Sequence, residues 1–431
     1  MSGIKIQRAR QSDIPLLEEI LLDNVTWVDE MGQPLWKIED VKWLALSKSF
    51  QIDDFYIAYK DGIPSGCMAL IDYDPFFWPD VKKGESLFIH KLAVTKAARK
   101  SGVSEALLGF SKEQGAQRGI KTIRLDTDAQ RPKTRAFYER NGFAFISKKE
   151  MGSFHVAFYA HYLHDAILVQ NKSSWNAMAD CWFGTTALPT YGCSCPSEDD
   201  LHLFPELFKK KVLDIGCGSG HSLRWCGDRG ASELWGLDMS SHQLENADRY
   251  LRENDFIPTL FCSPMEDNPG IPVDYFDVAY SIYAIGWTVD LQKTFTLIAS
   301  YLKPGGIFIF SWDHPFLHCL DVDGEQLVIS GSYYETEPFT FHKGENRQQV
   351  RKEKSSGTYS APDGGYPLTL YNRRISDYVN ALAIAGFAVE RIVEETDKET
   401  LERDAEFSSE YYAPCKAQRF PLSLIIKARK L

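Results

Sequence analysis

A glycine-rich turn near the middle of the chain has the composition of a cofactor-binding loop. Val212 to Ile215 is predicted to be an apolar strand, and Gly216, Gly218 and Gly220 follow it before a predicted helix. Glycines let the backbone turn sharply and approach a ligand, and the helix N-terminus offers free N–H groups to its polar atoms. Asp238 ends the next predicted strand, where its carboxylate can accept hydrogen bonds from both hydroxyls of a ribose. The spacing indicates a cofactor that contains a nucleoside.

Both NAD and S-adenosylmethionine fit a glycine turn followed by an acid. Asp214 lies just before the first glycine, where a carboxylate would repel a pyrophosphate but can order the turn near a cationic amino-acid end. This position favours the sulfonium cofactor. From Trp175 to Leu431 the chain also resembles class I methyltransferases that act on small molecules, at VLDIGCGSG, GLDMS, FDVAYS and LKPGGIFIFSWDHP. The resemblance implies a Rossmann-like domain with a mostly parallel sheet.

The resemblance also implies which residues bind S-adenosylmethionine. They are Asp214, Gly216, Gly218, Gly220, Asp238, Met239, Met265, Glu266 and Ser281. Asp214 and the first two glycines would line the methionine part, and Asp238 would bind the ribose. Met265 and Glu266 would flank the adenine, and Ser281 would end the fourth strand beside the methyl group. A helix-capping role for Asp238 stays open, because serines follow it.

Methyl transfer from a sulfonium is an in-line displacement, so the enzyme has to place the acceptor and, for some acceptors, take a proton. His314 follows the predicted apolar strand Ile307 to Phe310 at the edge of the sheet where ligands bind. It is a candidate base or substrate ligand, with a structural role as the alternative. Tyr283, Trp287 and His318 are lesser candidates.

The segment from Phe316 to Tyr371 is long for a loop, and loops of this length are usually functional. We predict a two-stranded extension or lid over the acceptor pocket, with an oligomer contact or a mobile loop as the alternative. Its aromatic and basic side chains are suited to burying an acceptor and neutralising an acidic group on it; they are Tyr333, Tyr334, Phe339, Phe341, Lys343, Arg347 and Arg351.

A second glycine-containing turn lies in the N-terminal half. The predicted strand Phe88 to Val94 is followed by Arg99 to Ser104 and then by a predicted helix. A helix start that offers free N–H groups suits the pyrophosphate of coenzyme A. A later predicted helix carries Tyr138. Together these stretches, from Ile6 to about Tyr162, resemble the GNAT acetyltransferases, and the resemblance implies acetyl-CoA as the cofactor.

The GNAT resemblance implies roles for individual residues. The residues expected to bind acetyl-CoA are Leu92, Val94, Arg99, Gly102, Val103 and Ser104. Tyr138 would protonate the departing thiolate, and His90, whose unperturbed pKa suits the task, would take the proton of the amine. The acidic alternatives to His90 as the base are Asp72, Asp74 and Asp126. The alternative role for His90 itself is structural packing. Ser104 stands where Gly or Ala is usual, and Arg131 where Asn is common.

The composition limits the remaining classes. A formal net charge of -11 argues against a protein that wraps nucleic acid, so a small-molecule acceptor is expected. Nine scattered cysteines without a predicted secretory segment suit reduced thiols and a cytoplasmic location. No apolar run approaches the roughly 18 residues that cross a bilayer, so no membrane partner is expected. Cys181, Cys193 and Cys195 do not complete a zinc set, and no metal is predicted.

These patterns predict an α/β chain of two domains. Residues 1–165 form a GNAT-like α+β domain, and residues 171–431 form the Rossmann-like methyltransferase domain with the insertion 316–371. The expected function is a bifunctional transferase that uses both cofactors. One alternative is a methyltransferase whose GNAT-like domain is a non-catalytic binding or dimerisation module, and another is an RNA- or protein-modifying enzyme. The sequence makes no prediction of the oligomeric state.

Overall fold

The computed structural model describes residues 3–32, 36–152, 154–343 and 365–431. The chain divides into two compact units, 1–166 and 167–431. The elements of the first unit are β1 (Ile4–Arg8), α1 (Ile14–Glu30), α2 (Trp43–Leu46), β2 (Phe55–Lys60), β3 (Ile63–Ile71), β4 (Ser86–Val94), α3 (Val103–Gln117), β5 (Thr122–Asp128), α4 (Pro132–Arg140), β6 (Ala144–Met151) and β7 (Phe154–Tyr162).

A seven-stranded sheet in the order β1-β2-β3-β4-β5-β7-β6 organises the first unit. Only β4 and β5 are parallel neighbours, and their pairing stops at Ile89 opposite Leu125 although both strands continue. The strands therefore diverge at His90 and Asp126. At this point Lys91 has a φ of 51°, which marks an irregularity in β4.

The strand β6 was missed in the sequence. It lies at the sheet edge, pairs only with β7, and most of its side chains are exposed or half-buried. An edge strand of this kind lacks the alternation of apolar and polar residues that identifies a strand. The predicted strand Phe88 to Val94 corresponds to β4, and the two predicted helices of this unit correspond to α3 and α4.

The second unit begins within α5 (His164–Met178), which follows directly on the first unit. Its further elements are α6 (Glu198–Leu201), β8 (Lys211–Ile215), α7 (His221–Asp228), β9 (Glu233–Asp238), α8 (Ser241–Arg252), β10 (Thr259–Cys262), β11 (Phe276–Ile282), α9 (Leu291–Tyr301), β12 (Leu302–Asp313), β13 (Leu320–Asp323), β14 (Gln326–Ile329), β15 (Pro338–Lys343), β16 (Tyr366–Tyr371), α10 (Ile375–Ile384), β17 (Phe387–Val393), α11 (Lys398–Glu402), α12 (Pro414–Ala417) and β18 (Ser423–Lys430).

The second sheet has the order β10-β9-β8-β11-β12-β18-β17. The first five strands are parallel, and β18 is antiparallel to both of its neighbours. Both faces are covered by buried apolar residues, with Leu213 and Ile215 in one cluster and Val212 in the other. The final strand, β18, completes the sheet by insertion between β12 and β17, where its alternate side chains face two cores.

The insertion forms two antiparallel strand pairs, β13 with β14 and β15 with β16. Residues 344–364, which include the predicted Arg347 and Arg351, lie outside the described residues. Asn171 of α5 fixes β16, because its side chain donates to the carbonyl of Thr369 at 2.7 Å and accepts from the N–H of Thr369 at 2.8 Å. None of the helices in the described ranges is long and apolar enough to cross a bilayer.

Candidate active sites

A cavity of about 780 Å³ lies at the C-terminal ends of β8, β9, β11 and β12 in the second unit. Ligands of open α/β sheets bind at this edge. The predicted cofactor residues that line it are Asp214, Gly216, Gly218, Asp238, Met239, Met265 and Glu266. Its other walls carry aromatic side chains together with Asp313 and Lys343. The volume is typical of pockets for small-molecule ligands.

The glycine turn is held in place by the end of β9. Gly216 has a φ of 79°, and a Cβ added there would lie 2.4 Å from the Cβ of Ala284. Only glycine therefore fits both the backbone conformation and the space. The N–H of Gly216 donates to the carbonyl of Leu237 at 2.7 Å, and the N–H of Gly218 donates to Oδ2 of Asp238 at 3.0 Å.

Asp238 lines the cavity and orders the turn. Its Oδ1 accepts from the N–H of Ser240 at 2.8 Å, while burial raises the pKa of its carboxyl. The N-cap of α8 is Ser240, whose hydroxyl oxygen accepts from the N–H of Gln243 at 3.2 Å. The capping role that stayed open for Asp238 therefore belongs to Ser240. Carboxylate oxygens accept more than one hydrogen bond each, so Asp238 retains capacity for a ligand.

Unpaired acceptors in the cavity wall fit a ligand that brings hydrogen-bond donors. Oε1 of Glu266 accepts from the hydroxyl of Thr288 and from the N–H of Val289, both at 2.6 Å. Oε2 of Glu266 and Oε1 of Gln243 are buried and have no hydrogen-bond partner among the described residues. Leaving such atoms unpaired costs about 1 to 3 kcal/mol each, which a donor on the ligand would recover. The amino and hydroxyl groups of S-adenosylmethionine are donors of this kind.

Two of the predicted cofactor residues do not line the cavity. Gly220 has a φ of 77°, and a Cβ there would lie 3.0 Å from Leu251 and 3.2 Å from Ala247, so it permits close packing of α7 on α8. Ser281 is buried, and its hydroxyl donates to the carbonyl of Ile215 at 2.7 Å. The contacts of Gly220 and Ser281 thus support the sheet and the turn, and neither residue is in the cavity wall.

His314 is also placed away from the cavity. Its Nε2 lies 2.7 Å from Oε1 of Glu394, its Nδ1 accepts from the N–H of Phe316 at 3.2 Å, and its ring packs on Phe420. Burial lowers the pKa of His314, although Glu394 raises it. Because its side chain has these partners and is absent from the cavity wall, the geometry favours the structural alternative for His314 over the role as base.

The residue before His314 occupies the position that His314 was expected to hold. Asp313 lines the cavity, and its carboxylate accepts from the hydroxyls of Tyr283 and Tyr412, the latter at 2.9 and 3.2 Å. Burial raises the pKa of Asp313 to about 6, although these tyrosines lower it. Tyr283 has a φ of 55°, a strained conformation that is common at functional sites. Asp313 and Tyr412 were not predicted from the sequence as site residues.

The predicted lid residues fall into two groups. Phe339, Phe341 and Lys343 of β15 line the cavity, whereas Tyr333 and Tyr334 do not. The Phe341 ring lies 6.3 Å from that of Trp287, which follows β11. The second strand pair of the insertion thus forms a wall of the cavity, as a lid would.

In the first unit, His90 lies between two carboxylates at the divergence of β4 and β5. Its Nε2 is 3.1 Å from Oδ2 of Asp74, and its Nδ1 is 4.0 Å from Oδ1 of Asp126. Neither pair forms a hydrogen bond, and the second is too long for one. Asp74 Oδ2, His90 Nε2 and Asp126 Oδ1 are buried without a hydrogen-bond partner among the described residues. The arrangement combines the predicted base with two of its acidic alternatives in one cluster.

Replacing Asp126 by asparagine should stabilise the first unit at neutral pH. Burial raises the pKa of Asp126 from 3.8 to about 6, so the folded state binds more protons than the unfolded state between those values. The unfolding free energy therefore falls as pH rises through this window, by roughly 2 to 3 kcal/mol at about 1.4 kcal/mol per pKa unit. In thermal unfolding, Asp126→Asn and the native chain should differ at about pH 7.5 and converge near pH 4. If the variant and the native chain were equally stable at both pH values, the presence of a buried charge on Asp126 would be contradicted.

The predicted coenzyme A residues surround the start of α3. Gly102 is the N-cap with a φ of 86°, and Val103 and Ser104 begin the helix, whose first N–H groups have no partner within the helix. The guanidinium of Arg99 stacks on the ring of Trp27, and its Nε is buried without a hydrogen-bond partner in the described part of the chain. Leu92 and Val94 lie beyond the divergence, on the part of β4 that no longer pairs with β5, although Val94 pairs with Gly66 of β3. A helix start beside an arginine suits a pyrophosphate.

Tyr138 lies on α4, packed against the rings of Phe137, Phe143 and Tyr159. Burial raises the pKa of its hydroxyl, and the negative charge of Asp126 raises it further. The hydroxyl therefore stays protonated at neutral pH, which is the state that a proton donor requires.

Comparisons with known proteins match a family model to a segment in each half of the chain. Residues 21–143 match the family model of the acetyltransferase (GNAT) family, and residues 213–310 match that of the methyltransferase domain. An uncharacterized protein of Haemophilus influenzae is 29% identical over 238 residues, which are 54% of this chain and 85% of that protein.

Named relatives are matched over a shorter stretch. The malonyl-[acyl-carrier protein] O-methyltransferase of Salmonella typhimurium is 32% identical over 101 residues, which are 23% of this chain and 38% of that protein. The chain thus spans less than half the length of this relative. The structure of an S-adenosylmethionine dependent methyltransferase from Mesorhizobium loti is 26% identical, with a TM-score of 0.40, over 53% of this chain and 95% of that one.

Proposed function

We propose, from the premise that this chain carries a GNAT-family acetyltransferase domain and a methyltransferase domain, that it is a bifunctional transferase. In this proposal the first unit transfers an acetyl group from acetyl-CoA to an amine, and the second methylates a small-molecule acceptor with S-adenosylmethionine.

The cavity of the second unit is the main structural support for the proposed methyltransferase activity. It joins the glycine turn and Asp238 to a second set of walls that the cofactor-binding motifs do not require, with Tyr283 and Asp313 among them. A cavity that only bound a nucleoside would need no such extension. The half-buried carboxylate of Asp313, held by tyrosine hydroxyls beside the predicted cofactor residues, is suited to placing an acceptor and receiving its proton.

In the methyltransferase unit, S-adenosylmethionine supplies an electrophilic methyl group when bound. Asp238 accepts hydrogen bonds from the ribose, and Asp214 faces the cationic amino-acid end. Glu266 and Gln243 accept from the remaining donors through their unpaired oxygens. Phe339 and Phe341 exclude water from the acceptor, and orientation of the acceptor for an in-line approach supplies much of the rate.

In the acetyltransferase unit, acetyl-CoA supplies an activated acetyl group when bound. The start of α3 and Arg99 hold the pyrophosphate, and Ser104 contributes its N–H or its hydroxyl there. His90 takes a proton from the amine, and the adjacent Asp74 and Asp126 stabilise the imidazolium that forms. Tyr138 donates a proton to the leaving thiolate.

Calorimetry on the full chain tests the proposal. We expect one site for S-adenosylhomocysteine and one for coenzyme A per chain, with the affinity for each changed less than about twofold by saturation with the other. The reason is that each unit contains its own helix start and polar acceptors. Each cofactor should then support transfer of its labelled group to a panel of amines.

The outcomes separate the alternatives. Binding of S-adenosylhomocysteine without any binding of coenzyme A would leave a methyltransferase with a non-catalytic first unit. If coenzyme A bound but no acetyl group were transferred, the first unit would be a coenzyme A-binding module without catalytic activity. A folded chain that binds neither cofactor would overturn the proposal for both units.

A further inference from the structure

We propose that the methyl acceptor is an amine, whose cationic nitrogen is held between an aromatic box and Asp313. The aromatic box is formed by Trp175, Trp182, Trp287, Trp312 and Phe341. This inference rests on the methyltransferase function proposed above and names the chemical class of its acceptor.

The box is a continuous run of rings around one part of the cavity. The ring of Trp287 lies at its centre, 5.2 Å from Trp175, 5.5 Å from Trp312 and 6.3 Å from Phe341. Trp182 extends it, 6.1 Å from Trp175. All five residues line the cavity. Faces of aromatic rings attract cations through their quadrupole, and cages of several rings recognise ammonium groups that carry methyl substituents.

An ammonium group of the chain itself already contacts the box. Nζ of Lys343 lies 3.7 Å from the centroid of the Trp182 ring and 5.5 Å from that of Trp175. Its charge also reaches Asp313, since burial raises the pKa of that carboxyl and Lys343 is among the groups that lower it. The space between the rings and Asp313 thus accommodates a primary ammonium, and the acceptor nitrogen would take the position that Lys343 now holds.

Asp313 gives the box an acidic end. Its carboxylate is half-buried, lines the cavity and accepts from the hydroxyls of Tyr283 and Tyr412. An ammonium group loses a proton to this carboxylate, and the nitrogen lone pair then forms the new N–C bond as the S–CH3 bond breaks. The products are a methylated ammonium, a neutral thioether and a protonated Asp313, so charge and atoms balance. An anionic acceptor would instead be repelled by Asp313 and by the faces of the rings.

The test compares two probes of the same shape. Choline carries a trimethylammonium group like that of a fully methylated product, and 3,3-dimethylbutan-1-ol replaces its nitrogen by carbon. With the chain saturated with S-adenosylhomocysteine, choline should bind at least about tenfold more tightly, since a desolvated cation–π contact contributes about 2 kcal/mol. Tryptophan fluorescence and calorimetry both report the affinity.

Four variants locate the residues responsible for the preference for choline. Trp287→Leu and Asp313→Asn should each reduce the preference for choline to less than about threefold, while Trp287→Phe, which keeps a ring, should retain most of it. Lys343→Met should raise the affinity for choline, because it removes the competing ammonium. Affinity for S-adenosylhomocysteine reports the folding of each variant.

The results distinguish two kinds of failure. Absence of S-adenosylhomocysteine binding to the native chain would contradict the methyltransferase function itself. If S-adenosylhomocysteine binds but choline binds no better than the neutral alcohol, or neither probe binds, the amine inference alone is overturned. Weaker choline binding in Lys343→Met would also overturn it, because the lysine would then not be competing for the box.

Discussion

Replacing Asp238 by alanine should weaken binding of S-adenosylmethionine by at least about a hundredfold. Two hydrogen bonds from ribose hydroxyls to a carboxylate contribute about 1.5 to 3 kcal/mol each. The same carboxylate accepts from the N–H groups of Gly218 and Ser240, so its loss also releases the glycine turn. The effect should therefore exceed that of the ligand contacts alone. Calorimetry on the full chain measures it.

Matched variants separate these contributions. Asp248→Ala removes an exposed carboxylate of α8 that pairs only with Arg252 in the described structure, and it should leave the affinity unchanged. Asp238→Asn keeps an acceptor oxygen and should fall between alanine and the native chain. The pKa of Asp238 is raised by burial, so removing its charge should not unfold the unit. An unchanged affinity in Asp238→Ala would show that this residue only orders the turn.

Replacing Ser104 by aspartate should weaken binding of coenzyme A by about a hundredfold. Ser104 lies in the first turn of α3, where the pyrophosphate is expected. Two like charges about 4 Å apart near a protein surface repel by about 4 kcal/mol, and solvent screening reduces this to the stated effect. An acidic residue in the first turn stabilises a helix, so the thermal stability should be maintained or raised. Lower affinity at unchanged stability is therefore specific to the ligand.

The control for Ser104→Asp adds the same charge at the other end of the helix. Gln117 is exposed at the C-terminus of α3, so Gln117→Glu should leave coenzyme A affinity unchanged within about twofold at low salt. Ser104→Gly restores the residue type that is usual in this turn and should bind coenzyme A at least as tightly as the native chain. If Ser104→Asp binds coenzyme A normally, the pyrophosphate does not bind at this helix start.

The sequence by itself predicted the two folds and the strand, turn and helix start at which we propose that each cofactor binds. The comparisons confirm the GNAT and methyltransferase assignments. Gly216, Gly218 and Asp238 were identified because a strand, a tight turn and a helix start are local in sequence, and local sterics dictate which residues permit them. The same locality identified Gly102 and the start of α3.

The composition of the cavity wall at which we propose that the acceptor binds was decided by tertiary structure. Asp313 accepts hydrogen bonds from the hydroxyls of Tyr283 and Tyr412. The two tyrosines come from segments far apart in the chain, and no local sequence pattern connects them. His314 was chosen over Asp313 because the spacing of β12 does not show which neighbour faces the cavity and which faces Glu394. Likewise Asp74, His90 and Asp126 come from three separate segments that the sheet of the first unit brings together. Local rules fix turns and strands, whereas the packing of distant segments decides which side chains share a cavity.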